Sequence, residues 1–97
     1  MRYKIHHSSV KVSPTFAEYA GSRMERLLHD FAFILHADIY LHEIGLKSPT
    51  HEVRLRVQVP GETLIAEEKA DNFQEAFDAA LNAVRRQLTR YKETIRS

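Results

Sequence analysis

The sequence contains no cysteine, and this absence excludes several classes of site. Without a thiol, the chain can form no disulfide scaffold, no thiolate zinc site and no cysteine nucleophile. It also lacks any apolar run near the roughly 20 residues that a membrane-spanning helix needs. The first residues, Met1 to His7, contain no apolar stretch like that of a signal peptide. We therefore expect a cytoplasmic protein that does not enter a membrane.

Motifs typical of catalysis and cofactor binding are also missing. We find no glycine-rich phosphate-binding loop, no HExxH-type zinc motif and no nucleophile and base at a recognisable spacing. We therefore predict that the protein is not an enzyme, has no catalytic residue and needs no cofactor.

Length and composition indicate one folded domain. The chain has 97 residues, of which 43% are hydrophobic and 28% are charged. This balance is typical of a globular domain rather than a disordered chain, and the length leaves little room for a second core. We predict a single domain spanning residues 1–97.

Alternating and helical patterns of apolar residues predict four strands and two helices in the order β-α-β-β-β-α. The strands are predicted at residues 1–12, 36–42, 52–59 and 63–69, with a loop at 45–50 and a hairpin turn at 60–62. Ser13 and Pro14 begin the first helix, which runs to about Asp30. The second begins at Asp71, with Gln74 as in a capping box, and its apolar stripe extends to Ile95 over about 24 residues.

These elements predict an α+β fold. The first two strands enclose a helix and should run parallel, whereas the last three should form an antiparallel meander. Each helix has one apolar stripe, so the simplest packing places both helices on one face of a four-stranded mixed sheet. The opposite face stays open and carries Tyr40, Arg54, Arg56, Gln58 and the strand histidines. It is either simply hydrated or a surface for a protein partner or weak self-association.

The strand histidines raise the question of a metal site. His36, Asp38 and His42 lie on one side of their strand, and His6 could lie beside them on the neighbouring strand. However, His36 and His42 are roughly 20 Å apart along an extended strand, which is too far for one ion. We predict no metal site.

The formal net charge of +1 conceals an uneven distribution. Residues 84–97 contain five basic and one acidic side chain, whereas the other 83 residues contain nine basic and twelve acidic ones. The C-terminal segment thus carries +4 against −3 elsewhere. Such asymmetry indicates a polyanionic partner or, alternatively, an ordinary solvated helix end, where cations complement the helix dipole.

The helical positions of the basic residues sharpen this choice. Arg86 and Arg90 fall on one flank of the second helix's apolar stripe, and Arg85, Lys92 and Arg96 on the other. On the first helix, Arg23 and Arg26 share a side with Tyr19. Two adjacent helices would form a shared ridge of guanidinium groups, which bind phosphate well. Acidic residues on the same helices (Glu18, Glu25, Glu75 and Asp78) leave open a purely structural role.

The spacing of several residues resembles one protein family. In the opening strand and first helix of this chain, the matching residues are Ile5, Val10, Val12, Ser13, Phe16, Tyr19, Arg23, Arg26 and Leu27. In the last hairpin and second helix, they are Gly61, Leu64, Ala66, Arg86, Gln87, Leu88, Arg90 and Lys92. This family contains the ribosome hibernation promoting factors, also called ribosome-associated inhibitor A or sigma-54 modulation proteins. The chain resembles its short form.

The resemblance implies a fold akin to the double-stranded RNA-binding domain. It also implies a position between the head and body of the small ribosomal subunit, where messenger and transfer RNA otherwise lie. RNA contacts are implied for Arg23, Arg26, Arg86, Arg90 and Lys92. The expected partners are the 30S subunit and the 70S ribosome, bound through ribosomal RNA.

Overall fold

The computed structural model describes residues 2–7, 10–45, 47–48 and 50–96, with the side chain of Arg96 excepted. Its elements are β1 (Tyr3–His6), α1 (Pro14–Asp30), β2 (His36–Ile44), β3 (Thr50–Val59), β4 (Glu62–Ala70) and α2 (Phe73–Arg96). The predicted order β-α-β-β-β-α is therefore confirmed. Parts of the predicted first strand (Met1, Ser8 and Ser9) and of the predicted loop (Leu46 and Pro49) lie outside the described residues.

The sheet has the strand order β1-β2-β3-β4. β1 pairs with β2 in parallel, with Ile5 opposite Ile39, and the other two pairings are antiparallel. Both features agree with the predicted topology. The predicted loop at 45–50 is one residue too long, because Thr50 pairs with Ile44 and extends the β2–β3 ladder.

The first strand is shorter than predicted. A strand over residues 1–12 is wrong, because β1 ends at His6 and residues 10–13 belong to no strand. The Val10 N–H donates to the His7 carbonyl at 3.1 Å and not to a neighbouring strand. Val10 and Val12 are nonetheless half-buried, so their apolar character reflects packing rather than strand pairing.

Side-chain caps fix the start of each helix. The Ser13 hydroxyl accepts a hydrogen bond from the Phe16 N–H at 3.1 Å, and Pro14 occupies the first turn of α1, as predicted. The predicted capping box at Asp71 and Gln74 is wrong. The Asn72 side chain instead accepts from the Glu75 N–H at 2.9 Å, so α2 begins one residue later than its predicted cap implies.

The core lies between the sheet and the two helices. β2, β3 and β4 contribute Ala37, Ile39, Leu41, Val53, Leu55, Val57, Val59, Leu64 and Ala66, while α1 and α2 contribute Met24, Leu27, Phe77, Val84 and Leu88 among others. Both helices therefore cover the same face, and the predicted α+β class is confirmed. The predicted stripe on α2 ends before Ile95, which is 57% exposed. Neither helix of the described chain is long and apolar enough to cross a bilayer.

Candidate RNA interface

The two helices lie side by side and run in the same direction. Near their beginnings, the Phe16 ring packs against Phe73 and Phe77 with centroids 6.0 and 5.9 Å apart. Further along, Asp30 at the end of α1 contacts Arg85 of α2 at 3.1 Å. Because the contacts follow one another in the same order along both helices, the solvent-facing sides of the helices form one continuous surface.

This surface carries the five residues predicted to contact RNA, which we call the basic ridge. Its members are Arg23 and Arg26 of α1 and Arg86, Arg90 and Lys92 of α2, and all five are exposed. They do not form one compact cluster. Lys92 lies on the flank of α2 opposite Arg90, since two residues along a helix are about 200° apart. The ridge therefore presents separated cations along two helices.

Arg23 is held by an aromatic ring. Its guanidinium carbon lies 4.7 Å from the centroid of the Tyr19 ring, at cation–π distance. The Tyr19 hydroxyl donates to an Asp78 carboxylate oxygen at 2.6 Å, which links α1 to α2. That hydrogen bond to Asp78, with a contribution from burial, raises the pKa of Tyr19. Arg23 is thus held beside the Tyr19 ring while its side chain stays exposed.

Arg26 belongs to an ionic bridge between the helices. Its Nε lies 3.4 Å from Oδ2 of Asp30, and the Arg85 Nη2 donates to the same oxygen at 3.1 Å. Burial acts to raise the pKa of Asp30, but hydrogen bonds from Arg85 and His29 and the charge of Arg26 outweigh it, and the pKa is lowered. Arg26 is 73% exposed, so it can turn toward an RNA phosphate when one is present.

Arg86 and Arg90 form no ion pair with any other residue that the structure describes. Together they line a shallow groove of about 450 Å³, whose other walls are Phe31, Arg85, Thr89 and Glu93. The two guanidinium groups can therefore meet a phosphate without first breaking an ion pair.

Sequence reasoning missed Asp30 and the role of Arg85. The four-residue spacing of Arg26 and Asp30 is visible in the sequence and typical of a helical ion pair. The contact from Arg85 crosses 55 residues, so no local pattern could reveal it. Of the acidic residues considered as partners, Asp78 does contact α1, but it accepts from Tyr19 rather than from an arginine.

The open sheet face brings together three of the residues considered for a metal site. Nε2 of His6 and of His36 lie 2.8 and 3.2 Å from the same Asp38 oxygen, and Arg56 is 3.7 Å from the other oxygen. Asp38 is only 7% exposed. Burial acts to raise its pKa, but hydrogen bonds from His6 and His36 outweigh burial, and the pKa is lowered. Over the described ranges, no group of three or more metal-ligating side chains has a geometry that could hold an ion.

Comparisons with known proteins give one family and a shared fold. The model of a family described as "Sigma 54 modulation protein / S30EA ribosomal protein" matches residues 3–96. No curated protein sequence matches the chain. A ribosomal subunit interface protein from Coxiella burnetii has a similar structure, with a TM-score of 0.83 and 24% identity over 96% of this chain and 99% of that one. The N-terminal domain of Thermus thermophilus Protein Y is also similar, with a TM-score of 0.73 and 19% identity over 92% of this chain and 94% of that one.

Proposed function

We propose that this chain, which belongs to the sigma 54 modulation protein / S30EA ribosomal protein family, is a hibernation factor. It would stop translation by occupying the small ribosomal subunit. The family is one of ribosome-associated proteins, and its model spans residues 3–96. The finer proposal is that the protein binds ribosomal RNA of the 30S subunit, alone or within the 70S ribosome. It would lie in the channel that messenger and transfer RNA otherwise use.

The basic ridge is the observation that carries this proposal. Folded RNA is recognised mostly through its backbone and shape, so rigid helices with spaced cations suit it better than a deep pocket would. Arg86 and Arg90 are exposed and form no ion pair among the described residues, so binding phosphate breaks no ion pair. Arg23 is oriented by Tyr19. Arg26 must share or leave Asp30, which costs little because exposed ion pairs contribute only about 0–1 kcal/mol.

The proposed mechanism is occupancy without chemistry. Arginine side chains replace the counterions of ribosomal RNA phosphates, and the bulk of the protein then excludes messenger and transfer RNA. No bond is made or broken, so neither a catalytic residue nor a cofactor is required. We place this activity in the cytoplasm, where ribosomes translate.

Co-sedimentation with ribosomes tests the proposal. The purified protein is mixed with 30S subunits and 70S ribosomes at low salt, centrifuged through sucrose, and added in parallel to a cell-free translation system. We expect it to travel with both particles and to inhibit translation. The double variant Arg86→Gln/Arg90→Gln should show both properties much more weakly.

A matched control is available on the opposite face. Arg54→Gln/Lys69→Gln removes the same charge from two cations that lie on the sheet, in ion pairs with Glu67 and Glu52. This variant should sediment and inhibit like the wild type. Absence of the wild-type protein from every ribosomal fraction at low salt would contradict the proposal.

Weak self-association through the open sheet face is a separate prediction. Sedimentation equilibrium over a range of concentrations tests it directly. A dimer that is lost in the Arg54→Gln/Lys69→Gln variant would support a protein-interaction role for that face.

A further inference from the structure

One corner of the open sheet face carries a pair of parallel aromatic rings. β1 pairs with β2 as far as His6 opposite Tyr40. At this last pair the imidazole and phenol rings stack, with centroids 4.5 Å apart and an interplanar angle of 9°. Both side chains are half-buried, so part of the stack faces solvent. The pair lies on the sheet face opposite the basic ridge.

A groove of about 700 Å³ opens beside these rings. Its lining consists of Lys4, Ile5, His6, His7, Val10, Tyr40, Leu41 and His42. Among the described residues, no aspartate or glutamate lines it, whereas one lysine and three histidines do. Asp38 contacts His6 at 2.8 Å, but it is only 7% exposed and does not face the groove. The groove thus combines an aromatic wall with basic side chains and, among the described residues, no carboxylate.

We propose that this corner binds an unpaired nucleotide of single-stranded RNA. The base stacks on the His6–Tyr40 pair, and its phosphate accepts hydrogen bonds from Lys4, His7 or His42. Sheets that bind single-stranded RNA combine the same two components, aromatic rings for bases and cations for the backbone. The groove volume also falls within the range of about 300–1,000 Å³ usual for ligand pockets.

Two further observations favour a nucleotide over an acidic peptide. The Tyr40 hydroxyl forms no hydrogen bond within the described part of the chain, so it can pair with a base edge or a ribose. In addition, the face-to-face pair leaves an outer ring face on which a base can stack, and an acidic side chain would leave that face unused. This site is independent of the basic ridge, because it lies on the other side of the sheet.

Fluorescence anisotropy with a labelled single-stranded RNA of about eight nucleotides tests the proposal. We expect Tyr40→Leu to weaken binding roughly tenfold, because it removes a stacking ring while keeping an apolar side chain of moderate size. Tyr40→Phe keeps the ring and should bind like the wild type. Lys4→Gln should also weaken binding, whereas Lys69→Gln removes an equal charge from the far strand of the same face and should not. Circular dichroism confirms that each variant is folded.

A variant of the basic ridge and an NMR titration separate this site from the ridge. Competition with AMP separates it from a site for free nucleotides. Arg86→Gln/Arg90→Gln should weaken sedimentation with ribosomes more than Tyr40→Leu does, whereas Tyr40→Leu should weaken binding of the short strand more. In NMR titrations, the strand should shift the ring resonances of His6 and Tyr40. The proposal is overturned if Tyr40→Leu binds like the wild type, if only the Arg86→Gln/Arg90→Gln variant loses binding, or if AMP displaces the strand as effectively as unlabelled strand does.

Discussion

Arg85 on α2 donates a hydrogen bond to Asp30 at the end of α1, with Nη2 3.1 Å from Oδ2. The same oxygen lies 3.4 Å from Nε of Arg26, so one carboxylate holds two guanidinium groups at the junction of the helices. Asp30 therefore ties the helices together and also neutralises part of the surface that we propose faces RNA. These two effects oppose each other in any measurement of RNA binding.

Replacing Asp30 with asparagine should separate the two effects. Asp30→Asn removes the negative charge and frees Arg26 and Arg85 for phosphate, so affinity for 30S subunits at low salt should rise severalfold. Thermal stability should fall slightly, since the helices lose an ionic link. Filter binding and a thermal melt measure the two quantities. An unchanged or reduced affinity would show that the junction does not face RNA.

The salt dependence of ribosome binding should reveal how many phosphates the basic ridge contacts. If all five ridge residues reach phosphates, the logarithm of affinity should fall with the logarithm of salt concentration at a slope of about −4. Each lost contact should reduce the slope by about 1, so Arg86→Gln/Arg90→Gln should give about −2. The Arg54→Gln/Lys69→Gln variant is the control and should keep the wild-type slope. Binding that does not respond to salt would contradict the phosphate contacts.

The sequence predicted the fold well because its strongest patterns are local. Alternation in Val53, Leu55, Val57 and Val59 identifies β3, and all four side chains are fully or almost fully buried. Ser13 identifies the start of α1, because its hydroxyl accepts from the N–H of Phe16, only three residues further along the chain. The end of β1 could not be predicted in this way. Val10 and Val12 look like strand residues in the sequence, but they are half-buried outside any strand.

The candidate site was predictable only in part, for the same reason. The sequence shows that Arg86 and Arg90 avoid the apolar stripe of α2, and this suffices to place them on the surface. It does not show which of the arginines already have partners. That depends on contacts between distant elements, such as Arg85 with Asp30 and Tyr19 with Asp78. The histidine cluster at Asp38 depends likewise on the β1–β2 register.

The corrected start of α2 can be tested by comparing two neighbouring residues. Asn72→Ala removes the side-chain oxygen that accepts from the Glu75 N–H, and it should destabilise the protein by about 1 kcal/mol. Asp71→Ala should cost less, because the exposed Asp71 does not occupy the cap position. Urea unfolding at constant pH measures both changes. A larger loss of stability for Asp71→Ala than for Asn72→Ala would support the capping box that the sequence predicted.

The two ends of the apolar stripe on α2 should differ sharply in their contribution to stability. Phe77 is fully buried between the helices and the sheet, and Phe77→Ala should cost about 3–5 kcal/mol through lost burial and the cavity left behind. Ile95 is 57% exposed, and Ile95→Ala should change stability by less than about 0.5 kcal/mol. Chemical unfolding of both variants compares them directly. A large loss for Ile95→Ala would mean that the end of α2 is covered in solution.

Asp38 should make stability dependent on acidic pH. Burial alone would raise the pKa of this carboxyl group, but His6 and His36 donate to its charged form and lower the pKa below the ordinary value of 3.8. A lowered pKa in the folded state means that the charged form contributes stability above the ordinary pKa. That contribution is lost as the pH falls through the lower folded-state value.

Substitution of Asp38 isolates this contribution. Asp38→Asn should destabilise the protein at neutral pH by about 1–3 kcal/mol. The amide oxygen is a weaker acceptor than the carboxylate, and the amide NH2 group would face side-chain N–H groups that also donate. The variant should then lose less stability than the wild type on acidification from about pH 5 to pH 2. Glu67→Gln on the same sheet face is the control, since the exposed ion pair of Glu67 with Arg54 is expected to contribute little. Unfolding in urea over this pH range measures the difference, and parallel pH profiles for Asp38→Asn and the wild type would exclude Asp38 as its source.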